Sequence, residues 1–146
     1  MNVLWQAAPK YLIDSLEIIQ RKSLRIILKK DWFCRNSELY SHKILPVSAL
    51  CNLSSALLIF KMKNNSAKNN INFTLFNEQH SYSTRNNDRF LISSCRTQLR
   101  SQNFYVRGPS IYNNLPVEIR RSRSSSIYKT NAKNFFRVRI VTSDRI

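Results

Sequence analysis

Acidic side chains are scarce in this chain: four aspartates and four glutamates stand in 146 residues. Of these only Asp14 and Glu17 lie close together, three apart on an expected helix, where ordinary ion pairing accounts for them. Paired carboxylates for acid–base or metal chemistry are therefore not expected. Histidine occurs twice, at His42 and His80, and cysteine three times, at Cys34, Cys51 and Cys95, with no C-x-x-C spacing. An odd number of scattered cysteines argues against a disulfide framework and for a reducing compartment. The expected location is intracellular, nuclear or cytoplasmic, and not secreted. Zinc spacing is absent as well. Cys34 with His42, or Cys95 with His80, lacks an acid to orient the imidazole. No apolar run approaches transmembrane length, and residues 5–10 interrupt any leader-like stretch. The expectation is no catalytic residue, no metal, no cofactor and no small-molecule substrate.

What the chain does have is positive charge. Twenty-four Lys and Arg give a formal net charge of +16, a self-repulsion that an anionic partner relieves. Nucleic acid is the first candidate partner and an anionic membrane surface the weaker second. Residues 80–146 carry 13 of the basic side chains against 3 acidic, and 11 of the 13 are Arg; in residues 1–79, 8 of 11 are Lys. Guanidinium grips phosphate with a planar fork, whereas ammonium acts as a point charge.

Along the chain, residues 11–30 read as a helix. Leu12, Ile13, Leu16, Ile19, Leu24, Ile26 and Ile27 fall in one arc, and Arg21, Lys22, Arg25 and Lys29 in the opposite one. Ser37 is placed to cap a short helix with Glu38 in its first turn, and Pro46 to open a longer one carrying Leu50, Leu53, Leu57 and Phe60. These helices are expected to pack antiparallel around Trp5, Trp32 or Phe33. Six asparagines between positions 64 and 77 mark a loop that Phe73, Leu75 and Phe76 pin down. Residues 90–95 and 103–107 read as short strands, with Arg107-Gly108-Pro109-Ser110 as a turn. Leu115-Pro116 marks an extended connection, and the run Ser124-Ser125-Ser126 caps a last helix at 127–138, with Tyr128, Ala132 and Phe135 on one face. Residues 139–146 are expected to fray.

Residues 80–121 hold the only glycine and two of the four prolines, with arginines threaded between aromatics. Arg85, Arg89, Arg96, Arg100, Arg107, Arg120, Arg121 and Arg123 are suited to phosphates, and Tyr82, Phe104, Tyr105 and Tyr112 to stacking on unpaired bases. The competing reading puts each aromatic in the core, because a small domain must bury its large side chains.

The order of these pieces resembles the region downstream of the polymerase palm in the reverse transcriptase polyprotein of LINE-type, non-long-terminal-repeat retrotransposons. Leu16-Glu17-Ile18-Ile19-Gln20-Arg21-Lys22-Ser23-Leu24-Arg25-Ile26-Ile27 is similar to that family's "lxxlQxkaLRiI" helix, and Glu38-Leu39-Tyr40 with Ile44-Leu45-Pro46-Val47 to its "pLf…ilpl" segment. His80-Ser81-Tyr82-Ser83-Thr84-Arg85 matches "hxYxTR"; Arg96-Thr97 and residues 101–105 follow in the same order. After Gly108-Pro109, Ile111-Tyr112-Asn113-Asn114-Leu115-Pro116-Val117-Glu118-Ile119-Arg120 resembles "lWNxLPxeiR", and Ser126-Ile127-Tyr128-Lys129 the start of a closing helix. Tyr112 stands where the family usually has tryptophan, Gln6 follows Trp5 where a glycine is common, and no Tyr-x-Asp-Asp motif occurs. The resemblance implies part of a polymerase polyprotein that does not copy nucleic acid by itself.

The expected fold is mainly α with a short β-hairpin between residues 90 and 112, in the α+β class. A helical thumb-like connector (1–63) precedes an Asn-rich linker (64–79) and a basic C-terminal region (80–146), together forming one compact unit. The expected function is to hold template RNA or target DNA beside a reverse transcriptase core supplied elsewhere. Arg85, Arg96, Arg100, Arg107 and Arg120 are assigned to phosphate, Tyr82 and Tyr105 to stacking, with Arg21, Arg25 and Lys29 as a second basic face. The alternatives are a structural remnant without independent activity and a protein bound to a membrane surface.

Overall fold

The computed structural model describes residues 8–40, 44–64, 73–79 and 87–143. Among them the chain forms helices only: α1 (Lys10–Ile27), α2 (Asn36–Leu39), α3 (Val47–Lys63), α4 (Phe76–Gln79), α5 (Gln98–Gln102), α6 (Phe104–Asn113), α7 (Val117–Arg120) and α8 (Ser125–Ser143).

The third helix organises the rest. Its sequence is apolar or small round most of its circumference, so several faces of the helix call for cover. Ala49, Cys51, Leu53, Ser55, Ala56, Ile59 and Phe60 are buried, and α1, α6 and α8 pack on it. The resulting core joins Leu45 and the α3 side chains to Phe90, Tyr112, Leu115, Ile119, Tyr128, Ala132 and Phe136. Residues from both ends of the chain thus share one interior. A smaller cluster of Leu24, Leu39 and Tyr40 ties α2 to the end of α1.

Two tyrosines close this interior. Tyr128 stacks on Phe60 with centroids 4.1 Å apart, and its hydroxyl donates to the Ala56 carbonyl at 3.2 Å. Tyr112 meets Phe90 edge-on at 5.2 Å, and its hydroxyl donates to the Arg120 carbonyl at 3.3 Å. Each ring pair is worth roughly 0.5–1.5 kcal/mol beyond its burial, and each buried hydroxyl needs the acceptor it finds.

Pro46 is the residue before α3 and offers no side-chain cap. The first helix supplies it instead: Gln20 Oε1 accepts from Val47 N at 3.2 Å, Glu17 Oε1 accepts from Ser48 N at 3.0 Å, and Gln20 Nε2 donates to the Leu45 carbonyl at 2.9 Å. These bonds satisfy amides that a helix start leaves open, and they put a carboxylate at the positive end of the α3 dipole. At α8, Ser124 Oγ accepts from Ile127 N at 3.2 Å, as the serine run suggested.

The β-hairpin is not formed: no strand occurs among the described residues, only an isolated antiparallel bridge between Leu75 and Phe90. Around Phe90 the extended backbone bonds residues 74–76 on one side, through Phe76 N to Arg89 O at 3.0 Å and Leu91 N to Thr74 O at 2.9 Å, and on the other side the Asn113 side chain stands in for a strand. Asn113 Oδ1 accepts from Phe90 N at 2.9 Å, and its Nδ2 donates to Phe90 O at 2.8 Å. The second expected strand, 103–107, is the start of α6, capped by Asn103 Oδ1 accepting from Tyr105 N at 3.1 Å. The expected turn at Gly108-Pro109 lies inside that helix. Pro109 removes one ladder bond, and burial of Gly108, Pro109 and Tyr112 offsets the loss. A Cβ at Gly108 would stand 3.0 Å from the Phe104 ring and 3.2 Å from Ile59 Cδ1, so the bare glycine sets how closely α6 approaches α3.

The apolar arc of α1 is largely uncovered. Only Leu24 is buried, while Leu12, Ile19, Ile26 and Ile27 are exposed. Trp32 and Phe33, expected to fill the space between helices, are 65% and 94% exposed. Trp5, Ser41, His42, the 65–72 part of the Asn-rich segment, the motif at 80–85 and residues 144–146 lie outside the described residues. Beside that loop, Phe73 and Leu75 pack on the core.

Tyr128→Ala is expected to cost about 3–5 kcal/mol in urea unfolding. Leu50→Ala, on the apolar stripe expected for α3 but exposed, is expected to cost less than about 1 kcal/mol. Equal losses would contradict the packing described.

Candidate nucleic-acid interface

The clearest concentration of exposed cations and aromatic surface lies at the C-terminus of α1. The helix ends in a tight reversal: Lys29 N–H donates to Ile26 O at 3.3 Å, Lys30 N–H to Arg25 O at 3.0 Å, and Lys29 adopts φ 50°, the left-handed region. These are the bonds that use up the last carbonyls of a helix. The basic side chains Arg25, Lys29 and Lys30 also suit the negative end of its dipole. The reversal carries Trp32 back beside the helix, where the Arg25 guanidinium lies 5.2 Å from the indole centroid. Lys22, Arg25, Ile26, Lys30 and Trp32 line an open groove of about 370 Å³, within the roughly 300–1,000 Å³ that small ligands occupy. Arg25 Nε is shielded there without a hydrogen-bond partner among the described residues. Of the basic face expected on this helix, Arg25 is in the groove; Arg21 is half-buried and Lys29 exposed at the reversal, neither lining it.

A second group lies on α5 and α6. Arg96 precedes α5, Arg100 is in its last turn and Tyr105 is in the first turn of α6; all three are exposed. Tyr105 also touches Phe73 at 6.2 Å between centroids, so one edge of its ring is held by the core. Arg107 is not with them. It is half-buried in a groove of about 360 Å³ that also takes in Lys10, Asp14, Glu17, Cys51 and Gln102, where acidic neighbours compete for it.

Arg120 is 4% exposed, so it is withdrawn from the surface expected of a phosphate contact. It ends a four-residue helix whose other buried residue, Ile119, belongs to the core, and the chain turns inward with it. Tyr112 is fully buried and Phe104 packs on the core, so neither stacks on a base. Tyr82 and Arg85 lie outside the described residues.

Trp32 and Phe33 are the residues that sequence reading placed wrongly. The signal was the break at 31–36 beside a lysine-rich helix end, where aromatics follow a helix without joining its periodicity.

Cys34 and Cys51 are held as thiols. Partial burial and a 3.2 Å hydrogen bond to Glu38 push the Cys34 thiol pKa up, and burial raises that of Cys51; both favour the inert thiol over the thiolate. Among the described residues no three His, Cys, Asp or Glu side chains gather as metal ligands, and no helix is long and apolar enough to cross a membrane. No family model matches the chain, and neither the curated proteins nor the solved structures contain a match.

Lys29→Gly is expected to raise stability by roughly 0.5–1 kcal/mol in urea unfolding, since only glycine takes the left-handed region freely. In alkaline titration, the phenolate absorbance that a Tyr112→Phe variant lacks is expected to appear late, because burial pushes the Tyr112 pKa up to about 12. A raised pKa means that the fold favours the neutral phenol. The corresponding stability is present below the unfolded value of about 10 and lost as pH rises through 12. Ionisation of Tyr112 below pH 11 would contradict its burial.

Proposed function

We propose that this chain is a non-catalytic nucleic-acid-binding unit that holds single-stranded RNA or DNA beside a polymerase core supplied elsewhere. The observation that carries the reading is the groove at the end of α1: an exposed indole, a guanidinium above it, and two lysines at its rim. A flat apolar face beside fixed cations is the combination that binds unpaired nucleotides, the base stacking and the phosphate pairing. Exposed Arg96, Arg100 and Tyr105 provide a second point of contact. The net charge of +16 favours any polyanion, and the groove is what favours an unstacked one. The resemblance to the region following the polymerase palm in LINE-type elements supplies the polymerase context.

One observation favours a structural reading alongside this. Leu12, Ile19 and Ile26 recur every seven residues along α1 and are 41%, 60% and 78% exposed. Such a stripe is the seam a second helix covers in a coiled coil, and it suits a chain that packs on a larger protein. In that reading the isolated chain self-associates as concentration rises, and Ile19→Glu suppresses the association.

Binding is measured by anisotropy of a labelled single-stranded oligonucleotide over a range of salt. Three groove cations on a single strand give a log–log slope near −2. Trp32→Ala is expected to weaken binding roughly 5- to 150-fold, the equivalent of about 1–3 kcal/mol for one stacked base. Absence of binding at low ionic strength, or preference for anionic vesicles over the oligonucleotide, would refute the reading.

A further inference from the structure

The buried side of α7 holds a charge that the described residues leave unanswered. Arg120 is 4% exposed, and its Nε and Nη1 are sealed from solvent without a hydrogen-bond partner. A guanidinium does not shed its proton to escape burial, and a buried charge left unpaired is among the costliest features a fold can carry. Its surroundings add to the excess. Lys63, at the end of α3, donates to the Tyr112 hydroxyl at 3.3 Å, and that hydroxyl donates to the Arg120 carbonyl. Arg121 follows in the chain, and Asp88 is the carboxylate facing this group. It is engaged by Arg121 Nε at 2.7 Å.

The electrostatics agree with this arrangement. Burial lowers the Lys63 pKa, the nearby Asp88 charge opposes that shift, and Arg120 and Arg121 add to it. Arg121's hydrogen bond holds Asp88 below the usual carboxylate range. Three cations therefore converge on one already committed anion.

We propose that Lys63, Arg120 and Arg121 form an anion site for a phosphate group, either inorganic phosphate or the terminal phosphate of a nucleotide. A tetrahedral oxyanion offers acceptors in several directions at once, which one carboxylate does not. Seated against the more exposed Lys63 and Arg121, it would offset the sealed Arg120 charge through space and leave the Arg121–Asp88 pair in place. The site is separate from the α1 groove and does not rest on the nucleic-acid reading; either can fail without the other.

The test is thermal unfolding of the full chain in phosphate against chloride at equal ionic strength, with a 5′-phosphorylated dinucleotide and its unphosphorylated form as further arms. Inorganic phosphate or the phosphorylated dinucleotide is expected to raise the Tm by roughly 5 °C at saturating concentration, and the larger shift identifies the source. Lys63→Gln, at a half-exposed position, is expected to keep the fold and cut the shift by at least half. Arg120→Met is expected to abolish the shift and to leave the Tm in chloride unchanged or higher, because it removes an unpaired buried charge. No phosphate-specific shift in the native chain, or a shift of full size in both variants, would overturn the proposal.

Discussion

A helix that is apolar or small round most of its circumference sets the terms of this fold. The α3 sequence forces other segments to cover it, and its small residues decide how closely they come. Ser55 and Ala56 are fully buried, and Gly108 and Ala132 meet the core without long side chains of their own. The two tyrosines then fill the remaining width and find carbonyl acceptors at their far ends. Coverage of α3 explains why residues before position 64 and after position 87 share one interior. It also explains why Gly108-Pro109, which in isolation signals a turn, is drawn into a helix.

Much of the local structure was legible because its causes are local. The amphipathic spacing of α1, the proline before α3 and the serine run before α8 each act within one turn, and each lies where the residues placed it. The strands failed for a non-local reason. Extended backbone at Phe90 calls for a hydrogen-bonding partner, and period-two reasoning supposes another strand; an asparagine 23 residues away supplied both bonds instead. Apolar periodicity likewise shows that α1 has a face for burial but not what buries it, and most of that face is open in this chain. Arg120 is the corresponding case for the site. Its type and its neighbour Arg121 suggested a surface contact, whereas the Ile119 anchor beside it turns the guanidinium inward.

Function follows from what the core leaves outside. Interior demands consume Phe60, Phe90, Tyr112 and Tyr128, so the aromatics free to meet a ligand are those that chain reversals hold off the core, chiefly Trp32 and Phe33. The α1 reversal does this with a lysine in the left-handed region, at a cost in backbone energy, and gathers lysines and an arginine around the exposed indole. Arg107 and Arg120 are drawn instead into acidic or buried surroundings. The binding surface proposed here is thus smaller than the arginine count suggests, and it lies nearer the start of the chain.

The most direct measurement is the fluorescence of Trp32, read in a Trp5→Phe variant during titration with single-stranded oligonucleotide. Stacking on the indole is expected to quench the emission saturably, in step with binding, and the quench is expected to reverse when salt is added. Binding without any change in Trp32 emission would contradict the assignment of the α1 groove as the site.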